Sequence, residues 1–168
     1  MDDTGMNTSL MQVSTRGGET AHIPVSVRNP VAFDFSQGHS ELLLGGGKFE
    51  SFDRPLWVLP LPAGPPHRLS DIAAHDACWA PDGRHLAFIS GKDIVLANAD
   101  GSDARKLVSA DGFINAFWIR FSPDGKRLRF SVFKPGATDA TGHGTEMVRH
   151  NDATVFAGTA KTSVRQES

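Results

Sequence analysis

Behind a tight bend in the second half of the chain, apolar and polar residues alternate. Leu128, Phe130 and Val132 fall on one side, and Arg127, Arg129 and Ser131 on the other. A period of two marks a strand with one buried face. Leu86 and Phe88 keep the same phase behind an earlier bend, which predicts a second strand of the same kind. The bends themselves are Pro81-Asp82-Gly83 and Pro123-Asp124-Gly125. Proline suits the second position of a type I turn, aspartate tolerates the third, and glycine takes the left-handed residue that follows. Such a turn joins two antiparallel strands through a short loop with a bulge.

The two hairpins are copies. APDGRHLAF at 80–88 returns as SPDGKRLRF at 122–130, 42 positions later. A weaker third copy precedes them. FSQGHSELLL (35–44) aligns with WAPDGRHLAF (79–88), so that Leu42 and Leu44 fall on Leu86 and Phe88, although the Pro-Asp-Gly is lost. The intervening segments repeat too. WVLPLPAGPPHRLS (57–70) and VLANADGSDARKLVS (95–109) are each a β-rich run, a glycine turn and a return ending in leucine. VSTRGGETAHIP (13–24) fits that frame as the closing hairpin of an earlier unit. Four short strands in ~42 residues is the period of a β-propeller blade. No long segment carries a helical period.

The predicted fold is therefore all-β: an incomplete propeller of about three four-stranded antiparallel blades. Residues 1–11 are expected to be a disordered N-terminus and 12–134 the partial propeller. The blade units lie at about 12–30, 31–74, 75–112 and 113–134. Residues 135–168 read as a low-order tail, because Met147, Val148, Val155, Phe156 and Val164 offer too little apolar surface to offset the entropy of ordering. The exception allowed there is a short hairpin or helix on TEMV or ATVFAG.

The phrase WAPDGRHLAFISGKDIVLANADGSDARKLVSADG followed by RFSPDGKRLRFSV resembles the TolB-like, WD-repeat-like β-propellers of bacteria. It is similar above all to propellers found behind winged-helix DNA-binding domains. Gly17-Gly18-Glu19, Leu56-Trp57-Val58 and Arg127-Leu128-Arg129-Phe130 carry that resemblance, which runs over about residues 12 to 134. Nothing resembling a winged helix lies upstream, and the pattern stops past Lys134. The resemblance implies a blade type and leaves the ligand open, since the same blades serve unrelated roles.

With 168 residues, 39% hydrophobic and 21% charged, the composition is that of a single globular domain. A net charge of −2 gives no basic footprint, so direct nucleic-acid contact is not expected. No run approaches the ~18 apolar residues of a membrane span. MDDTGMNTSLMQ lacks the apolar core of a secretory signal, which makes the cytoplasm the default, or the periplasm within a larger exported chain.

Candidate chemistry is thin. Cys78, the single cysteine, reads as a small buried hydrophobe. Gly45-Gly46-Gly47-Lys48 lacks the outer glycine and the Ser or Thr of a phosphate loop. NADGSD (98–103) has its glycine two places early for a calcium loop and reads as a hairpin turn. His22, His39, His67, His75, His85, His143 and His150 show no metal spacing and read as solvated loop or strand-edge residues. Ser90 and Ser122 occupy blade positions, and there is no G-x-S-x-G. Phe35, Trp79, Phe117, Trp118 and Phe121 are expected to pack in the core, with a binding face as the other reading.

No catalytic, cofactor-binding or metal residue is therefore assigned, and no cofactor. The expected role is a non-enzymatic protein-interaction or ligand-sensing scaffold within a larger bacterial protein; with its strand edges open, the isolated chain is expected to be a fragment, to self-associate or to be marginally stable. The alternative is the remnant of the propeller of a prolyl-oligopeptidase-like serine peptidase.

Overall fold

The computed structural model describes residues 7–48, 51–62, 64–111 and 115–133, and the strand residues 155–156. Among them there is no helix, and so none long and apolar enough to cross a membrane. Every strand pair is antiparallel.

A hairpin of β1 (Leu10–Gln12) and β2 (Ala21–Ile23) comes first. A four-stranded sheet follows in chain order: β3 (Val31–Phe35), β4 (Glu41–Gly45), β5 (Arg54–Pro60) and β6 (His67–Ala74). A second has the same order: β7 (Asp76–Trp79), β8 (His85–Ser90), β9 (Asp93–Asn98) and β10 (Arg105–Ser109). The last sheet holds β11 (Asn115–Phe121), β12 (Arg127–Phe133) and β13 (Val155–Phe156). β13 belongs to the ATVFAG stretch of the tail; the remaining tail residues, His143 and His150 among them, lie outside the described residues.

The repeated bends superpose in hydrogen bonding. Gly83 N–H donates to Ala80 O at 3.0 Å and Ala80 N–H to His85 O at 2.9 Å. Gly125 to Ser122 and Ser122 to Arg127 repeat the pair at 2.8 Å each. The weak third copy keeps the frame, with His39 to Ser36 at 2.8 Å and Ser36 to Glu41 at 2.9 Å. The left-handed residue is Gly83 (φ 65°), Gly125 (φ 69°) and, in the weak copy, His39 (φ 53°). A side chain in that conformation costs roughly 1–2 kcal/mol. Gly83→Ala should therefore lower stability by about 1 kcal/mol, read as a shifted urea midpoint with an unchanged slope. An unshifted midpoint would show that the turn does not need its glycine.

The sheets stack face to face in chain order. One apolar layer joins Leu43, Leu56 and Val58 of the first full sheet to Ala77, Trp79, Leu86 and Phe88 of the second. Another joins Ala87, Ile89 and Ile94 to Ala116, Ile119, Leu128 and Phe130. A third seats Leu10 and Val27 on Leu42, Leu44 and Leu59. Within the stack the first strands neighbour one another, β3 beside β7 and β7 beside β11.

Two expectations need correction. Leu10 and Met11 belong to β1, inside the stretch expected to lack structure, because Leu10 is 6% exposed and packs on Leu42 and Leu44. β8 was expected to bury one face, yet Leu86, Ala87, Phe88 and Ile89 are all buried. Leu86 and Phe88 face the sheet before and Ala87 and Ile89 the sheet after. Only β12 shows the expected alternation, with Leu128 and Phe130 buried and Arg127 and Arg129 exposed. It stands at the end of the described stack.

Candidate functional site

The C-terminal ends of β3, β7 and β11, with the bends that follow them, enclose a cleft of about 280 Å³. Phe35, Trp79 and Phe121 are repeat-equivalent and all three line it, as do Pro81 and Pro123. The position before each aromatic also lines it, and there the repeat diverges: Asp34, Cys78 and Arg120. Two of these sit directly after a register shift, between Ala32 and Asp34 in β3 and between Phe117 and Arg120 in β11. A bulge re-aims the side chains beside it. In β11 it turns Trp118 outward, at φ 59° and 56% exposed, and sends Arg120 across the strand ends.

Arg120 and two carboxylates lace the three inner strands together. Asp34 Oδ2 accepts the Trp79 N–H at 3.0 Å, and Asp76 Oδ2 accepts the Ile119 N–H at 3.0 Å. The Arg120 guanidinium donates from Nη1 to Ile119 O (2.6 Å) and Asp76 Oδ1 (3.4 Å), and from Nη2 to Phe33 O (3.3 Å). The side chain is still 44% exposed, so part of its donor fork faces outward. The cleft thus sets aromatic and proline faces beside the Arg120 guanidinium and the Asp34 carboxylate. Cys78 adds no nucleophile: burial pushes its thiol up to about 12, so it stays protonated.

A different cluster lies at the other end of the strands. His75, in the link from β6 to β7, has a side chain only 3% exposed. The expectation of a solvated histidine is wrong here, because both ring nitrogens find partners inside. Nδ1 meets Asp53 Oδ1 at 2.5 Å and Nε2 meets Ala116 O at 2.8 Å. A carbonyl only accepts and an ionised carboxylate only accepts, so the imidazolium satisfies both. Burial alone would depress the His75 pKa, but these bonds outweigh it and raise it above 6.5. Burial likewise acts to raise Asp53, and the bonds from His75 and from Gly91 N–H (2.7 Å) overcome it and hold the carboxyl below 3.8. Phe52 and Phe117 cover the ring at 4.7 and 5.3 Å between centroids.

The remaining candidates resolve into structure. Gly46 presses on the 24–30 segment, where an added Cβ would meet Val27 Cγ1 at 2.2 Å. In the 98–103 turn Asn98 donates to Ser102 Oγ and Asp103 Oδ2, and Gly101 takes φ 84°. Ser122 Oγ serves its own bend, accepting the Arg127 N–H, and Ser90 Oγ donates to Asp53. His85 pairs with Asp82 at 2.7 Å, and His22, His39 and His67 are exposed. No group of three metal-ligating side chains occurs among the described residues. Phe35 (51% exposed) and Trp118 do not pack in the core as expected, while Trp79 does. Of the five aromatics for which a binding face is the second reading, Phe35, Trp79 and Phe121 line the cleft, and aligning the three copies brings Asp34, Cys78 and Arg120 to one position.

Four-stranded antiparallel sheets stacked face to face, with their first strands side by side, define an incomplete β-propeller. The fold is TolB-like. A TolB-like protein of Agrobacterium tumefaciens matches with a TM-score of 0.63 and 16% identity, over 78% of this chain and 48% of that one. A gluconolactonase of Xanthomonas campestris matches with a TM-score of 0.57 and 17% identity, over 77% and 43%. In sequence, the chain is 30% identical over 91 residues to the uncharacterized peptidase YuxL of Bacillus subtilis, 49% of this chain and 13% of that protein. No family model matches. The chain thus spans about half the length of these solved propellers and a small part of the peptidase.

Proposed function

We propose that the chain is a non-catalytic propeller segment of a larger bacterial protein, residues 12–134 serving as a scaffold that recognises a protein or ligand at the axial cleft. The observation that carries this reading is the divergence of one repeat position, Asp34, Cys78 and Arg120, between aromatics kept at the next. The aromatic frame stays constant while the residue before it changes from a carboxylate to a buried thiol to a guanidinium, and stacked repeats build their binding surfaces on such a constant frame.

The test is selection of a phage-displayed peptide library on the immobilised 168-residue chain, with the Arg120→Glu, Phe121→Ser variant as comparison. Enriched peptides should bind the variant at least tenfold more weakly. Peptides that bind both equally, or no enrichment at all, would overturn the assignment of the cleft. The same preparation should not hydrolyse p-nitrophenyl butyrate or a peptide p-nitroanilide above the buffer rate; turnover would overturn the non-catalytic part.

The similarity to the peptidase favours a second reading, in which these blades come from the propeller of a prolyl-oligopeptidase-like enzyme. The flanking gene sequence separates the two. A hydrolase elbow, G-x-S-x-G, encoded downstream supports the peptidase, and a winged helix encoded upstream supports the scaffold.

A further inference from the structure

The axial cleft carries two opposite charges that do not pair with each other. Arg120 lines it from β11 and Asp34 from β3, on either side of their repeat equivalent Cys78. Among the described residues the guanidinium pairs with Asp76. Its Nη2 donates at 3.3 Å to the carbonyl of Phe33, the residue directly before Asp34. The step from the cation to the Asp34 carboxylate is therefore short.

Both groups keep capacity for a ligand. A guanidinium has five N–H donors. Arg120 spends three of them, two from Nη1 on Ile119 O and Asp76 Oδ1 and one from Nη2 on Phe33 O. Nε–H and the second Nη2–H have no acceptor among the described residues, and the side chain is 44% exposed. An ionised carboxylate offers about four acceptor positions on its two oxygens. Asp34 Oδ1 accepts the Phe35 N–H at 2.9 Å and Oδ2 the Trp79 N–H at 3.0 Å, which leaves about two.

The walls beside these charges are apolar: Phe35, Phe121, Pro81 and Pro123. At about 280 Å³ the cleft falls just short of the ~300 Å³ at which pockets for drug-sized ligands begin, so its occupant is small. Charge narrows the class further. Asp34, Asp76 and Arg120 together carry one net negative charge, which opposes a bare anion, and a bare cation meets the guanidinium. A zwitterion avoids both penalties.

We propose that the cleft binds a free α-amino acid with a large apolar side chain, a reading that rests on the cleft being the recognition site. The ligand carboxylate accepts the two unspent donors of Arg120, and its ammonium donates to Asp34. The side chain lies against Phe35, Phe121 and the two prolines. An α-amino acid bears both charges on one carbon, which suits the short step between Arg120 and Asp34.

Isothermal titration calorimetry on the 168-residue chain tests this pairing. The probes are L-phenylalanine and L-leucine, with the N-acetyl and the decarboxylated derivative of each, which lack one charge. At least one amino acid should bind, and its two derivatives should bind roughly tenfold more weakly or worse, the scale of a lost charged hydrogen bond. Asp34→Asn should weaken the amino acid by a similar factor; if that variant does not fold, the derivatives on the unmodified chain decide alone. No heat from either amino acid at millimolar concentration, derivatives that bind as tightly, or a folded Asp34→Asn chain of unchanged affinity would overturn the proposal. Competition separates it from the reading beneath it. The amino acid should displace the peptides selected on the cleft. Selected peptides that it does not displace would leave the cleft as the recognition site and remove the amino acid as its ligand, whereas no cleft-dependent peptide would remove the cleft itself.

Discussion

His75→Ala is expected to destabilise the fold by about 3 kcal/mol, the lower end for breaking a buried charged pair, because Asp53 keeps some exposure. The ring ties four segments that are distant in sequence. Asp53 precedes β5, His75 links β6 to β7, Gly91 lies in the β8–β9 turn and Ala116 is on β11. Removing it leaves the Ala116 carbonyl without its donor and Asp53 without its countercharge. In thermal unfolding the loss should read as a drop of about 10 °C.

The same clamp sets a pH signature. His75 is raised above 6.5, so its contribution is complete below that pH and is lost as pH rises through the raised value. Asp53 is lowered below 3.8, so its contribution is complete above that pH and is lost as pH falls through the lowered value. The pair therefore stabilises most between these limits. Urea denaturation of wild type and His75→Ala should show a larger gap at about pH 5 than at about pH 9. Equal gaps would mean that His75 acts through packing alone.

Ala87→Arg should be more damaging still, at ~4 kcal/mol or more, although it only writes into the second repeat what the third already carries. Ala87 and Arg129 are equivalent, 42 positions apart. Ala87 is fully buried against the last sheet, where a guanidinium would find neither space nor countercharge. Arg129 is exposed, and Arg129→Ala should change stability by less than about 0.5 kcal/mol. Chemical denaturation of both variants checks the pair. If Ala87→Arg folded with near-native stability, the face-to-face stacking of the second and third sheets would be wrong.

The blades were legible because their signals are local. Pro-Asp-Gly restricts the backbone within three residues, and alternation is a property of one strand. Even the weak copy could be placed, since Leu42 and Leu44 keep their phase when the turn residues change; the left-handed role moves to His39. The double-sided burial of β8 also had a signal that alternation obscured. Leu86-Ala87-Phe88-Ile89 is an unbroken apolar run, whereas Leu128-Arg129-Phe130-Ser131 is not.

The sites were not legible in the same way. Nothing near His75 announces Asp53, 22 positions away, or the carbonyl of Ala116, 41 positions away. Arg120 reaches Phe33 across 87 positions, and only the β11 bulge aims it there.

By itself, then, the amino-acid order determined the bends, the strands between them and their repetition, because each depends on neighbours within a few residues. Which faces are covered, which histidine is a buried cation and where three strand ends open a cleft were decided by the stacking of the sheets. Burial and charge pairing depend on what lies across the gap, and the same local phrase meets an apolar layer at Ala87 and solvent at Arg129.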